Sequence, residues 1–219
     1  MTWFTTVIDL SFKGGIFMIP LALVALAALI LMVERMLYLR GNRIDGDRFQ
    51  YELRTALKDN ALDQAIVLAA RTKGVVGRVV EEGLMRVKDG EKDIESATEK
   101  AILTEMMSME RSRGWLVTLS QLAPLLGILG TVQGLVIAFM TIEASATTDP
   151  RLLAGGIYTA LVTTVAGLVI AIPIIAFLEY VRKETNHILS WLDLSLVEIK
   201  EWLARRNGMW TKKEAAGHA

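Results

Sequence analysis

Three stretches of this chain carry no formal charge and are each long enough to cross a bilayer: Gly14 to Val33, Trp115 to Ile142 and Leu152 to Leu178. A helix rises about 1.5 Å per residue, so about 20 apolar residues cover the hydrocarbon core. All three runs meet that length, and the second and third have residues to spare for tilt or for extension beyond the membrane. Three such runs in 219 residues exclude an ordinary soluble domain and predict an all-α integral membrane protein with three transmembrane helices. The mean hydropathy of +0.40 understates this, because the apolar residues are concentrated in these runs.

Charge placement sets the expected topology. Fifteen Lys and Arg lie between Arg35 and Arg113 and seven from Arg182 onward, leaving only Lys13 and Arg151 elsewhere. Positive segments stay in the cytoplasm. The N-terminal segment (1–13) and a short loop (143–151) are therefore expected outside, in the periplasm. The segment 40–114 and the residues after the third span are expected inside. The first span is placed at 14–39, the second at 115–142 and the third at 152–178. The N-terminal run ends in Glu34-Arg35 and not at a small-residue cleavage site, so it reads as a retained helix.

The cytoplasmic segment has helical periodicity. Apolar residues three and four apart from Phe49 to Ala70 predict one amphipathic helix, broken by Lys73-Gly74-Val75-Val76-Gly77. A second helix is expected over Arg78 to Val87, ending near Asp89-Gly90. From Glu91 the pattern runs as helix into span two. After Leu178 it continues through Ile188, Leu192, Leu196, Ile199 and Leu203, predicting a cytoplasmic C-terminal helix over 179–207 that ends near Asn207-Gly208 and a flexible tail over 208–219.

Several function classes are excluded or disfavoured. The chain has no cysteine, so disulfides and thiolate metal sites are ruled out, and its two histidines, His187 and His218, form no visible metal pair. The formal net charge is zero, so no global field attracts nucleic acid. No phosphate loop and no nucleophile paired with a histidine point to an enzyme. No internal repeat or binding charge points to a small-molecule transporter.

Polar and small residues inside the spans carry the remaining information. Gly127, Gly130 and Gly134 fall three and four apart and, with Ala123 and Ala138, form a small-residue stripe suited to close helix packing, either within one chain or between chains. Thr131 follows Gly127 by one turn. In span three, Thr159 and Thr163 are one turn apart with Thr164 adjacent, and Pro173 predicts a bend. Such hydroxyls suit a polar pathway, or they bond to a carbonyl one turn back in their own helix. No Asp, Glu, Lys, Arg or His lies in the core of any span. Ion transfer across hydrocarbon normally needs an ionisable relay. Either this chain conducts nothing, or a partner brings the carboxylate.

Leu122-Ala-Pro-Leu-Leu-Gly-Ile-Leu-Gly-Thr-Val132 resembles the second-span signature of ExbB and TolQ, and Gly156-Ile-Tyr-Thr-Ala-Leu-Val-Thr-Thr-Val-Ala-Gly-Leu-Val-Ile-Ala-Ile-Pro173 resembles their third-span signature. Val33-Glu-Arg at the end of span one is typical of the same MotA/TolQ/ExbB family. The resemblance implies a homopentameric ring around a pair of ExbD/TolR-like single-span partners, each carrying the Asp that binds the coupling ion. It also implies H⁺ as that ion, with Na⁺ as the alternative, no other cofactor, and force delivered to a TonB/TolA-like transducer. Spans two and three would line the pore, and Thr131 and Thr164 match the family threonines facing the partner Asp. One residue departs from the pattern: Thr159 stands where ExbB and TolQ usually have Glu. That departure leaves open a non-conducting membrane scaffold. The short cytoplasmic segment speaks against a flagellar stator.

Overall fold

The computed structural model describes residues 15–90, 94–145 and 150–217, and within these the side chains of 95–97, 145, 150–153 and 207–217 are not described. Six helices make up the described fold: α1 (Met18–Gly41), α2 (Gly46–Lys58), α3 (Leu62–Arg71), α4 (Val75–Lys88), α5 (Ile94–Ser145) and α6 (Pro150–Gly217). No described residue is in a strand. The contacts group into two units, one of Met1–Arg35 with Ser112–Tyr180 and one of Met36–Arg111 with Val181–Ala219.

The first unit holds the three apolar runs. Three helices are long and apolar enough to cross a membrane, as the sequence requires. Leu21 of α1 packs on Ala123 of α5 and Ala171 of α6, with Met18, Val24, Leu126, Ala166 and Ile170 around them. Ser112 Oγ donates to Glu34 Oε1 at 3.4 Å, joining α5 to α1 near the end of the apolar run. The outward faces are strongly apolar and open: Leu125 is 60% exposed, Phe139 63% and Val169 63%. Apolar patches on this scale require lipid or further protein to cover them.

The second unit is a compact helical assembly. Along α2 and the later part of α6, contacts advance in step in both helices, so the two run parallel. Gly46 lies flat against the Trp191 indole, where any Cβ would collide. One turn on, Gln50 Nε2 donates to Trp191 O at 3.0 Å and to Ser195 Oγ at 2.6 Å. Arg54 then pairs with Glu198 at 3.2 Å. Trp202 Nε1 closes the row with a 3.0 Å bond to Asn60 Oδ1. The helices α3 and α4 pack on each other, burying Ala65, Ile66 and Ala69 against Val76, Val79, Val80 and Leu84. The first part of α5 lies along α4: Gly83 faces Ile94 and Thr98, and Arg78 Nε bonds to Glu105 Oε1 at 2.7 Å. That hydrogen bond pushes the Arg78 guanidinium above its ordinary value, so it stays charged at any physiological pH.

Three boundaries differ from those read in the sequence. The single helix expected from Phe49 to Ala70 is two helices, separated at Asp59-Asn60-Ala61. Asn60 takes a left-handed φ of 51°, which Asn tolerates well, and its side chain is held by Trp202. Only Thr72 to Gly74 breaks the chain before α4. Gly74, at φ +97° and tight against the Asn42 backbone, supplies the turn, while Val75, Val76 and Gly77 are already helical. The helix leading into span two is described from Ile94 onward, and residues 91–93 of the expected continuous stretch lie outside those described. Finally, the helical backbone of α6 does not stop near Asn207-Gly208 but runs to Gly217. One glycine costs a helix only about 1 kcal/mol relative to alanine, and the residues after it include Lys, Glu and Ala, all good helix formers.

Gly77 tests the tightness of the second unit. A Cβ there would press on the carbonyl oxygens of Thr72 and Ala69, the latter at 2.9 Å, neither of which can swing aside. Gly77→Ala is expected to cost about 2 kcal/mol net of its helix-propensity gain, seen as a lower urea midpoint in detergent. Gly41→Ala, where a Cβ meets nothing within 4 Å, should stay within about 0.5 kcal/mol of the parent.

Candidate functional site

The polar residues of the spans are positioned by one contact between α5 and α6. Small residues on α5 face small residues on α6 with the two helices running antiparallel. A Cβ on Gly127 would stand 3.1 Å from Thr163 O and 3.2 Å from Thr164 Cα. On Gly130 it would meet Thr163 Oγ1 at 2.6 Å, and on Gly134 it would meet Ala160 Cβ at 2.9 Å. From the other side, Gly156 abuts Ala138, and a Cβ on Gly167 would lie 2.6 Å from Ala123 O. The expected stripe on α5 therefore faces its own chain. Its α6 counterpart of Gly156, Ala160, Thr163 and Gly167 was not singled out from the sequence, although its four-three-four spacing was the available signal.

This close approach brings two of the four expected hydroxyls together. Thr131 Oγ1 and Thr164 Oγ1 are hydrogen-bonded to each other across the helix pair, with either able to donate. Both also reach one acceptor, the Gly127 carbonyl, Thr131 at 3.0 Å and Thr164 at 3.1 Å. Thr131 thus makes the one-turn-back bond of a membrane threonine, whereas Thr164 bonds across to the neighbouring helix.

The other two expected residues are placed differently. Thr163 is 1% exposed, its hydroxyl bonds to Ala160 O at 2.7 Å, and its side chain fills the space left by Gly130. Within this chain it packs between α5 and α6, apart from the Thr131–Thr164 pair. Thr159 is half-buried, one turn away, with its methyl toward Gly15, and it does not join the Thr131–Thr164 cluster. Pro173 lies inside α6, which continues past it as helix.

The cluster has a simple proton inventory. Two hydroxyls own two protons but have three contacts among themselves and Gly127 O. Each hydroxyl donates one hydrogen bond and accepts two. Two chains use both protons fully: Thr131 to Thr164 to Gly127 O, or Thr164 to Thr131 to Gly127 O. Rotating two hydroxyls exchanges them, and each leaves accepting capacity on the leading oxygen. The cluster can therefore take a hydrogen bond from an incoming protonated group and reverse its own polarity. It has no ionisable side chain with which to carry the ion itself. Among the described residues, no group of three or more His, Asp or Glu could hold a metal ion.

Sequence comparisons agree with this arrangement of spans and motifs. A family model described as the MotA/TolQ/ExbB proton channel family matches residues 71–193. That match takes in the second part of the cytoplasm-expected segment, both long spans and the whole hydroxyl cluster. The chain belongs to the MotA/TolQ/ExbB proton channel family and is a multi-pass membrane protein. Similar relatives are ExbB proteins. An ExbB homolog of Methanothermobacter thermautotrophicus is 28% identical over 195 residues, 89% of this chain and 69% of the relative. An ExbB-like protein of Synechocystis, number 3 in its series, is 29% identical over 171 residues, 77% of this chain and 81% of the relative. The biopolymer transport protein ExbB of Salmonella typhimurium is 32% identical over 124 residues, about half of each chain (52% and 51%).

Removing the Thr164 hydroxyl at constant shape separates its bonding from its packing. Hydrogen bonds between membrane helices are worth on average about 0.6 kcal/mol, so Thr164→Val should lower stability by about 1 kcal/mol or less in a detergent unfolding titration. Gly167→Leu, which drives a side chain into the Ala123 carbonyl, should cost several times as much.

Proposed function

We propose that this chain is the ring-forming stator subunit of an ion-driven motor in the inner membrane, converting proton-motive force into work on an envelope component. The observation that carries this reading is the Thr131–Thr164–Gly127 cluster, set in charge-free spans. The cluster can receive and pass on a hydrogen bond but cannot bind a proton as a stable charge. The carboxylate comes from an ExbD/TolR-like single-span protein at the axis of a homopentamer. Its Asp, protonated from one side of the membrane, donates to the hydroxyl with accepting capacity, and the chain of two hydroxyls resets as the partner helix turns past.

In this reading the N-terminus faces the periplasm, and the helices of the second unit lie in the cytoplasm. The bias of Lys and Arg toward 35–113 and the residues after 182 supports that orientation. The exposed apolar faces of α5 and α6 are covered by neighbouring copies and by lipid. H⁺ is the coupling ion, because a neutral hydroxyl pair that shares one carbonyl suits proton hand-over better than a multi-oxygen cage for Na⁺. The work is passed to a TonB/TolA-like transducer.

A non-conducting scaffold is the competing reading, favoured by the way Thr131 and Thr163 satisfy their hydroxyls within their own helices. Thr131→Val and Thr164→Val decide between them. The motor reading expects each to lower the energised process at least tenfold in cells while assembly with the single-span partner, counted by native mass spectrometry, stays intact. Full activity in both variants would establish the scaffold.

A further inference from the structure

A cavity in the second unit is not explained by ion transfer. It is a cleft of about 720 Å³ between the turn after α1, the start of α2 and the outer face of α3. That volume is in the range of small-molecule sites, about 300–1,000 Å³. Four cations line it: Arg43, Arg48, Arg71 and Lys73. The floor is apolar, made by Ile44, Phe49, Val67 and Leu68, with Val67 48% exposed although it belongs to no membrane span.

The three carboxylates of the cleft are already committed. Asp45 accepts from the Arg48 backbone N–H at 3.3 Å as the cap of α2, Glu52 accepts from Arg48 Nε at 2.7 Å, and Asp63 accepts from Lys88 at 2.7 Å. Arg43 is bonded to Glu184 at the far edge. Arg71 and Lys73 are exposed and have no ion-pair partner among the described residues. Two uncommitted cations thus sit two residues apart at the end of α3, over an apolar floor, with two further guanidinium groups across the cleft.

We propose that this cleft binds a phosphate-bearing ligand, with Arg71 and Lys73 holding the phosphoryl oxygens and Phe49, Val67 and Leu68 receiving the attached organic group. A planar guanidinium matches phosphate oxygens two at a time and an ammonium adds a point charge, so the pair suits a dianion better than a carboxylate. The ligand is either a soluble organic phosphate or the headgroup of an anionic phospholipid. The site does not depend on the motor reading, since its ligand is assayed by binding alone.

The test uses the full chain in nanodiscs of phosphatidylcholine. Titration with ATP, followed by calorimetry, is compared with retention of phosphatidylglycerol in native mass spectra of the chain from nanodiscs that also contain that lipid. Arg71→Ala combined with Lys73→Ala should weaken binding at least tenfold, whereas Lys58→Ala combined with Lys183→Ala, two exposed lysines outside the cleft, should not. Saturable ATP binding lost in the first variant identifies a soluble ligand. Phosphatidylglycerol retention lost in that variant, with no ATP binding, identifies a lipid headgroup. Absence of both in the parent chain, or equal binding in the two double variants, overturns the proposal.

Discussion

The close antiparallel contact of α5 with α6 in the apolar spans is what the candidate site depends on. In hydrocarbon there is no hydrophobic gain from bringing two helices together, because the lipid is as apolar as their side chains. Contact must come from shape. Glycine and alanine at 123, 127, 130, 134 and 138 let the α6 backbone approach until only a hydrogen atom fits at several positions. The larger apolar side chains point away, which leaves the outer surface of both helices fit for lipid or for other chains.

That proximity also creates the polar chemistry. A hydroxyl on one helix reaches the other only when the backbones are this near. Thr164 therefore bonds to the Gly127 carbonyl on α5, and Thr131 meets Thr164. Were residue 127 larger, the α6 backbone would be held away and Thr164 would lose its reach to the Gly127 carbonyl. The close packing and the hydroxyl cluster are thus one feature, with Thr131 following Gly127 by one turn on α5 and Thr164 facing both from α6. The Thr159 departure from the usual family Glu falls outside this cluster, so the hydroxyl pair is complete without it.

Much of this was legible in the sequence. Charge-free length gave three spans, and the spacing of Gly127, Gly130 and Gly134 gave a packing face. Thr131 and Thr164 entered through family resemblance and prove to be in contact. Thr163 could not be told from Thr164 by spacing, because neighbours on a helix differ by only 100° and the position of α6 decides which one is buried. The break at Asn60 was hidden because Ala61, Leu62 and Ala65 keep the apolar period across it. The bond that holds the Asn60 side chain there comes from Trp202, 142 residues distant. Gly208 does not mark the end of α6, because a single glycine costs a helix only about 1 kcal/mol.

In the proposed motor the labour is divided: this chain provides a switchable pair of hydroxyls, and a second polypeptide provides the acidic group that carries the ion. The most direct measurement is proton uptake by vesicles reconstituted with the purified chain, alone and with its acidic single-span partner, under an imposed potential. Divided labour predicts no flux above background for the chain alone, flux on adding the partner, and loss of that flux when the partner's membrane Asp is changed to Asn. Robust proton flux through the chain by itself, or undiminished flux with the Asn partner, would contradict it.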